Sequence, residues 1–599
     1  METGELKSLT ETLTALLGDA FEAGGYDRLY GEVVRSNRPD LGDFQCNGAL
    51  PAAKAYGKNP RQIAQEVVSA LQEAAGEEMF AEVGLAGPGF INLRLSDAFL
   101  ARHVHHMAQD ARLGARAAPQ TAAQHVVLDF GGANVAKPMH VGHLRSSIIG
   151  DSLKRLFSFC GDRVTGDIHM GDWGLQMGML IMEVERRFPD LPYFDPDFEG
   201  PYPEESPVTM ADLQEFYPQA SARAKSDPEA MEAAREATKA LQEGRAGYRA
   251  LWQHFVDVSI ASLRRDFEAL NVHFDLWLGE SHADPYIEPM IERLKREGYA
   301  VESEGALIMP VDEPEDRVDI PPLMLLKSDG AALYGTTDLA TLAMRVEELE
   351  PDAILYVVDA RQSLHFEQVF RAARKAHVVP RDVPLEHLPF GTMNGPDGKP
   401  FKTREGGVMR LNDLIEMVRA KARARLQEVD AAQDYGEAER EEIARLVGLS
   451  ALKFADLVNH RSKDYVFDLE RFSSFEGRTG PYLLYTAVRT KSILRRAAEQ
   501  GLEAGKILPA AGAEERELAL KLAEMPDVVS YAYETRAPNH LADYVYNLAI
   551  SFNRFYREHH ILSEEDAAQQ GSWLALSDYS LRQMELVLSL MGIEVPERM

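Results

Sequence analysis

Residues 126–130 form a short, predominantly apolar run, the mark of a parallel strand. Leu144, Ile148, Ile149, Leu153, Leu156, Phe157 and Cys160 then recur at helical spacing, and Gly161 stands where a C-terminal cap is expected. The pattern predicts a strand, a tight loop and one amphipathic helix. Apolar runs return at residues 323–326, 331–334 and 354–358 and predict further strands, with Asp329-Gly330 between the first two as a hairpin signal. Thr336 or Thr337 is placed to cap a helix beginning near Asp338, so Tyr334 and Asp338 fall at a strand end and a helix start. Ligands of α/β sheets bind there. Capping by Asp338 alone is the competing reading.

The same patterning divides the chain. Residues 1–115 mix helices with short strands, and residues 116–124 read as a linker opening a segment that runs to residue 410. Six prolines, from Pro189 to Pro207, cannot continue a helix or a central strand, and charged helical sequence follows. Residues 189–270 are therefore an expected insertion, its charges read as solvated helix faces. Residues 411–599 are expected to be all helical. The fold class is α/β, a Rossmann-type parallel-sheet domain carrying the insertion, flanked by an N-terminal α+β domain and a C-terminal helical domain.

Between the first strand and its helix lies Asn134-Val135-Ala136-Lys137-Pro138-Met139-His140-Val141-Gly142-His143. A helix N-terminus offers free N–H groups and partial positive charge to phosphate. Gly142 has no Cβ to obstruct a nucleotide, and His140 and His143 can donate to phosphoryl oxygens as charge builds up. This chemistry suits nucleotidyl transfer. Two plainer readings compete: half a zinc site, which lacks a Cys-x-x-Cys or His-Glu-x-x-His to complete it, and ordinary capping histidines.

Charge complicates the picture. A formal net charge of −31 argues against a bulk electrostatic nucleic-acid binder. Locally, however, Arg478, Arg489, Lys491, Arg495 and Arg496 lie in a stretch without acidic residues. Pro481 suits a first helical position, after which Tyr482, Tyr485, Arg489 and Arg496 fall near one face. Tyrosines beside arginines suit single-stranded RNA; a half-buried tyrosine ridge with a solvated basic rim is the alternative. Across 599 residues, 45% hydrophobic, no apolar run is long enough to span a bilayer, and Cys46 and Cys160 give no disulfide framework. A cytoplasmic protein with two buried cysteines is expected.

The string Asn134 to His143, continued by Leu144-Arg145-Ser146, resembles the His-x-Gly-His signature of class I aminoacyl-tRNA synthetases in its arginyl-tRNA synthetase form. Further stretches resemble that family in the same order: His169-Met-Gly-Asp-Trp-Gly-Leu-Gln176, Tyr334-Gly-Thr-Thr-Asp338, Tyr356-Val-Val-Asp-Ala-Arg-Gln362, residues 398–407, Thr479-Gly-Pro-Tyr482 and the terminal Pro596-Glu-Arg-Met599. Together they run from about residue 126 to the end, and Leu41-Gly-Asp-Phe-Gln-Cys-Asn47 resembles part of the family's N-terminal additional domain, which contacts the tRNA elbow.

The resemblance implies ATP-dependent activation of L-arginine and its transfer to the 3′ end of tRNA-Arg. It places Asp129, Asn134, Tyr334, Asp338 and Gln362 around arginine, a set whose two anions, two amides and one phenol suit a planar cation. His169, Gly171, Asp172, Trp173 and Gln176 are expected in the nucleotide pocket. Lys137, His140, Gly142 and His143 are expected at ATP, with Lys399, Lys402 and Arg404 on a mobile signature loop whose hinge is Gly406-Gly407. That loop departs from the usual Lys-Met-Ser-Lys-Ser, so Lys137 shares the phosphate role with Lys402. Phe44, Gln45 and Asn47 are candidates for an exposed tRNA base, a buried strand aromatic being the alternative for Phe44, and Tyr482, Tyr485, Arg489 and Arg496 are candidates for the anticodon region. ATP enters as a substrate with Mg²⁺, no dedicated protein metal site is expected, and the enzyme is expected to be a monomer whose activation step needs tRNA. A stand-alone nucleotidyltransferase and a catalytically silent RNA-binding paralogue are the alternatives.

Overall fold

The computed structural model describes residues 7–74, 78–115, 123–328, 330–399, 409–427 and 435–599. The chain separates into two compact units. One comprises residues 122–425 and 451–473, the other residues 1–121, 426–450 and 474–599.

In the first unit four parallel strands run in the order Leu385–His387, Ala353–Tyr356, His125–Asp129, Arg163–Asp167. The first of these in sequence lies inside the sheet, so the chain crosses first to one side and later to the other. The strand ends between His125–Asp129 and Ala353–Tyr356 are therefore the topological switch point. Both strands are covered on both faces, which is why each reads as a mostly apolar run without apolar–polar alternation. The helix Val141–Phe159 packs close against the first strand. A Cβ on Gly150 would lie 2.2 Å from the Phe130 ring, so glycine is what lets that fully buried ring lie across the helix. Leu144, Leu153 and Leu156 are completely buried, each contributing about 1.5–3 kcal/mol.

One expected strand is absent. After Leu323–Leu326 the predicted partner at residues 331–334 is a single bridge, Leu326 to Ala332, and the helix Tyr334–Leu349 already begins at Tyr334. The cause is local. Thr336 sits inside the first turn, where its hydroxyl donates to the Leu325 carbonyl and fixes the helix to the strand. Asp329 lies outside the described residues.

The insertion is three helices, Met210–Ser226, Pro228–Gln242 and Ala246–Ala269, following the proline-rich stretch. Thr209 and Asp227 cap the first two through their side chains, and Pro228 opens the second.

In the second unit an antiparallel sheet of Val33–Arg35, Phe44–Cys46, Phe90–Leu95 and Phe80–Ala86 shares its unit with the C-terminal helices. Arg516 is bonded to both oxygens of Asp43, at 2.9 and 2.8 Å, and to Asp97 at 2.8 Å. Tyr579 donates to the Leu113 carbonyl at 2.9 Å. The terminal Arg598 grips Glu439, placing the last motif of the chain on the helix Glu437–Leu457.

Candidate active site

The loop after His125–Asp129 is fixed by neighbouring backbone. Asn134 bridges to Gly171, with Val135 N–H to the Gly171 carbonyl at 3.1 Å. A Cβ on Gly171 would come within 2.2 Å of Asn134 Oδ1, so the two segments meet only because residue 171 is glycine. Ala136 adopts φ +62°, and its N–H donates to Ser259 Oγ at 2.9 Å. Ser259 belongs to the insertion, so that element is more than a solvated charged surface.

His140 and His143 cap their helix reciprocally. Gly142 N–H donates to His140 Nδ1 at 3.0 Å, and His140 N–H donates to His143 Nδ1 at 3.1 Å. The rings stack with centroids 4.0 Å apart. Since each Nδ1 accepts, each neutral ring carries its proton on Nε2. Burial, reinforced by His140 and Lys137, pushes the His143 pKa down to about 3, and burial followed by Lys137 lowers that of His140. The histidines are therefore neutral donors, and the capping and catalytic readings use different nitrogens of the same rings. Gly142 has a further reason to be glycine, because its Cβ would lie 2.7 Å from His140 Cε1.

The signature loop is fixed at both ends. Lys399 sits in a turn closed by Gly395 N–H to the Lys399 carbonyl at 2.7 Å. Beyond the loop, Arg410 pairs with His140, Val141 N–H donates to Met409 and Leu411 N–H donates to Met139. Lys402, Arg404, Gly406 and Gly407 lie outside the described residues.

The expected pocket residues divide into two groups. Asp129 accepts from Arg345 Nη2 at 2.6 Å, and the same atom reaches Asp167 at 2.8 Å. Arg345 is fully buried, so Asp129 already has a guanidinium partner within the protein. Asp172 takes Ser281 N–H at 2.9 Å and Ser281 Oγ–H at 2.6 Å, anchoring the helix Glu280–Arg296. Trp173 is buried, donates to Asp284 at 2.9 Å and packs edge-on to Trp252. Gln176 donates to the Gly171 carbonyl at 2.8 Å. His169, with φ +41°, lies 3.5 Å from Asp167 and 3.0 Å from Thr341 Oγ1. Asp129, Asp172, Trp173 and Gln176 each have a side-chain hydrogen bond within the protein.

Tyr334, Asp338 and Gln362 are less committed. The Tyr334 ring is 74% exposed, and Gln362 is exposed at the start of the helix Ser363–Lys375. Asp338 is half-buried and bonded to His365 Nε2 at 2.5 Å. Sequence reading missed a third carboxylate beside them. Burial, then Asp172 and Asp338, raise the Glu280 pKa to about 7, and Glu280 in turn acts on the Tyr334 phenol. No periodicity could have found it, because Glu280 opens a charged helix in a part of the chain without a matching motif. Among the described residues, no group of three or more His, Cys, Asp or Glu side chains converges to hold a metal ion.

In the other unit Phe44 is buried within its sheet, under the Arg35 guanidinium, so its ring supports the strand and is not free to stack on a base. Asn47 is exposed and Gln45 half-buried. The helix Gly480–Glu499 starts one residue earlier than Pro481 predicts, because Thr479 caps it and a Cβ on Gly480 would lie 2.1 Å from the Ser450 carbonyl. Tyr482 is tied by Asn553 at 2.9 Å, Arg489 lies over the Tyr485 ring at 4.6 Å, and Tyr485 and Arg496 are exposed.

Three family models match the chain: "Arginyl tRNA synthetase N terminal domain" over residues 7–95, "tRNA synthetases class I (R), catalytic domain" over 104–469 and "DALR anticodon binding domain" over 483–599. The arginine–tRNA ligase of Alkaliphilus oremlandii is 51% identical, with 99% of this chain and 100% of the relative covered. That of Hyphomonas neptunium is 52% identical over the same shares. Among solved structures, arginyl-tRNA synthetase from Thermus thermophilus superposes with TM-score 0.77 at 25% identity, covering 99% of this chain and 100% of that one. The Plasmodium falciparum enzyme shares the fold with TM-score 0.80 at 23% identity, both chains covered in full. No helix among the described residues is long and apolar enough to cross a membrane. With a catalytic-domain match over more than half its length and full-length relatives at this identity, the chain belongs to the arginyl-tRNA synthetases, within the class I aminoacyl-tRNA synthetases.

Proposed function

We propose that this enzyme activates L-arginine by in-line attack of its carboxylate on the α-phosphorus of ATP, releases pyrophosphate, and passes the arginyl group to a ribose hydroxyl at the 3′ end of tRNA-Arg. The observation that carries this reading is the reciprocal histidine cap beside Lys137. It leaves two neutral Nε2–H donors, a helix N-terminus and one ammonium at the switch point of the sheet. Such a set stabilises charge on a phosphoryl group during transfer without forming a covalent intermediate. Lys399, Lys402 and Arg404 close on the triphosphate from the signature loop. These groups are donors and cations, so they fit phosphate oxygens, and Mg²⁺ enters with ATP as part of the substrate.

Asp338 and Glu280 receive the guanidinium, Tyr334 forms a wall, and Asn134 and Gln362 hold the amino and carboxyl groups. Asp129 acts behind this layer by holding Arg345. On the second unit, Tyr485 and Arg496, with Arg489 and Tyr482 behind them, meet the anticodon region, and Gln45 and Asn47 meet tRNA elsewhere. The enzyme acts as a monomer in the cytoplasm.

Glu280 gives arginine binding a pH dependence. Its free-enzyme pKa, about 7, lies above the ordinary 4.5, so the proton is held until the pH passes 7. A guanidinium favours the ionised form, so arginine KM falls as pH rises through neutrality and levels off above it. Folding linkage has the opposite sign, since the native state holds this proton while the unfolded chain has released it, and this contribution declines as pH rises from 4.5 to about 7. Glu280→Gln removes the KM trend. A wild-type arginine KM that is flat between about pH 6 and 8 contradicts the assignment.

Activation requires tRNA in this reading. Asn134, Tyr334 and Gln362 come from three separate segments, so the competent arrangement is a minor population that tRNA binding favours. Arginine-dependent ATP–pyrophosphate exchange is expected with tRNA-Arg and near background without it. Robust exchange by rigorously tRNA-free enzyme excludes tRNA gating and leaves arginine charging intact.

A further inference from the structure

We infer that Tyr217, on the insertion helix Met210–Ser226, is a positioning residue for the phosphate-binding ammonium of Lys137. The inference rests on the assignment of Lys137 to ATP. Lys137 Nζ lies 4.8 Å from the centroid of the Tyr217 ring, within range of a cation–π interaction. Among the described residues no carboxylate is paired with Lys137. That choice of partner has a chemical consequence. A carboxylate would aim the ammonium but cancel its charge towards phosphate, whereas an aromatic face limits its swing and leaves the charge in place.

The supports on both sides are packed and hydrogen-bonded. Leu213 and Phe216 are buried at the foot of the Tyr217 helix, and Arg187 lies 4.1 Å over the Phe216 ring. The backbone before Lys137 is held by the Ala136 N–H to Ser259, from another insertion helix. Trp252 and Gln242 of the insertion also donate to the carbonyls of Asp172 and Trp173, at 2.8 and 3.0 Å. The insertion thus grips the signature strand ends at several points, and Tyr217 is the one that meets a reacting-site cation.

The test compares Tyr217→Leu and Tyr217→Phe, alone and combined with Lys137→Ala, in tRNA charging at varied ATP, with thermal midpoints measured for every variant. Tyr217→Leu is expected to lower kcat/KM for ATP by about three- to thirtyfold, with an unchanged midpoint. Tyr217→Phe keeps the aromatic face and retains kcat/KM within about twofold. In the Lys137→Ala background Tyr217→Leu adds little, because the cation it positions is gone. Wild-type ATP kinetics in Tyr217→Leu overturn the inference, as does an equal loss in the presence and absence of Lys137, which marks a packing role. If Lys137→Ala itself leaves ATP kinetics unchanged, the phosphate assignment falls and the inference with it. A severe Lys137→Ala beside a silent Tyr217→Leu removes the inference alone.

Discussion

Replacing His143 by asparagine is expected to lower kcat by about 10²- to 10³-fold, the cost of losing one donor aimed at transition-state charge. The asparagine is chosen for its oxygen, which can stand where His143 Nδ1 accepts the His140 N–H, so the cap is kept. It has no donor where Nε2–H stood. His143→Ala loses both functions and adds about 1 kcal/mol of destabilisation from the missing cap. Turnover and thermal unfolding measured on the two variants separate the roles. Near-normal turnover in His143→Asn with a destabilised His143→Ala means that the histidine only caps. Because burial, with His140 and Lys137, holds the native imidazole near 3, kcat should carry no limb from this histidine around neutrality. Stability responds instead: the unfolded histidine takes a proton below 6.5 while the native one does not, so stability is lost as pH falls below that value.

Asp338→Asn should raise arginine KM by about 30-fold or more, since removing one partner of a desolvated charge pair costs about 2–5 kcal/mol. ATP KM should move little. The informative companion is Asp129→Asn. Its carboxylate holds the buried Arg345, so the expected loss is stability, up to about 3–5 kcal/mol, more than arginine affinity. The two expected carboxylates are thereby separated into one that faces the substrate and one that faces the fold. An arginine KM within about twofold of the parent in Asp338→Asn would reduce Asp338 to a partner of His365.

Much of this site was legible because its local chemistry is dense. A short, mostly apolar run, a glycine-bearing loop and a helical period identify the first strand and the signature helix, and the histidines fall where the cap must be. A four-residue apolar run does not distinguish a strand from the first turn of a buried helix, so residues 331–334 read as a strand; the Thr336 hydroxyl decides for the helix through a contact eleven positions back. The sequence leaves Phe44 open between a stacking aromatic and a strand aromatic, because strand burial depends on partners that are distant in sequence. Arg345, Glu280 and Tyr217 could not be found in that way. Each lies in a charged helix whose inward face is set by segments over a hundred residues away or by another charged helix, and charge alone reads as solvent exposure. The shared unit of the two chain ends has the same origin, since Arg516 and Asp43 are 473 positions apart.

The acidic wall and the histidine donors are expected to act on one substrate pair, arginine and ATP, for one tRNA family. The most direct measurement offers each amino acid separately to the purified enzyme with ATP and total tRNA and quantifies aminoacyl ester at the tRNA 3′ end. Ester is expected with arginine alone, on tRNA-Arg alone, and should collapse in His143→Asn. Charging with lysine or any other amino acid at a comparable rate, or ATP turnover with no ester on any tRNA, would contradict it.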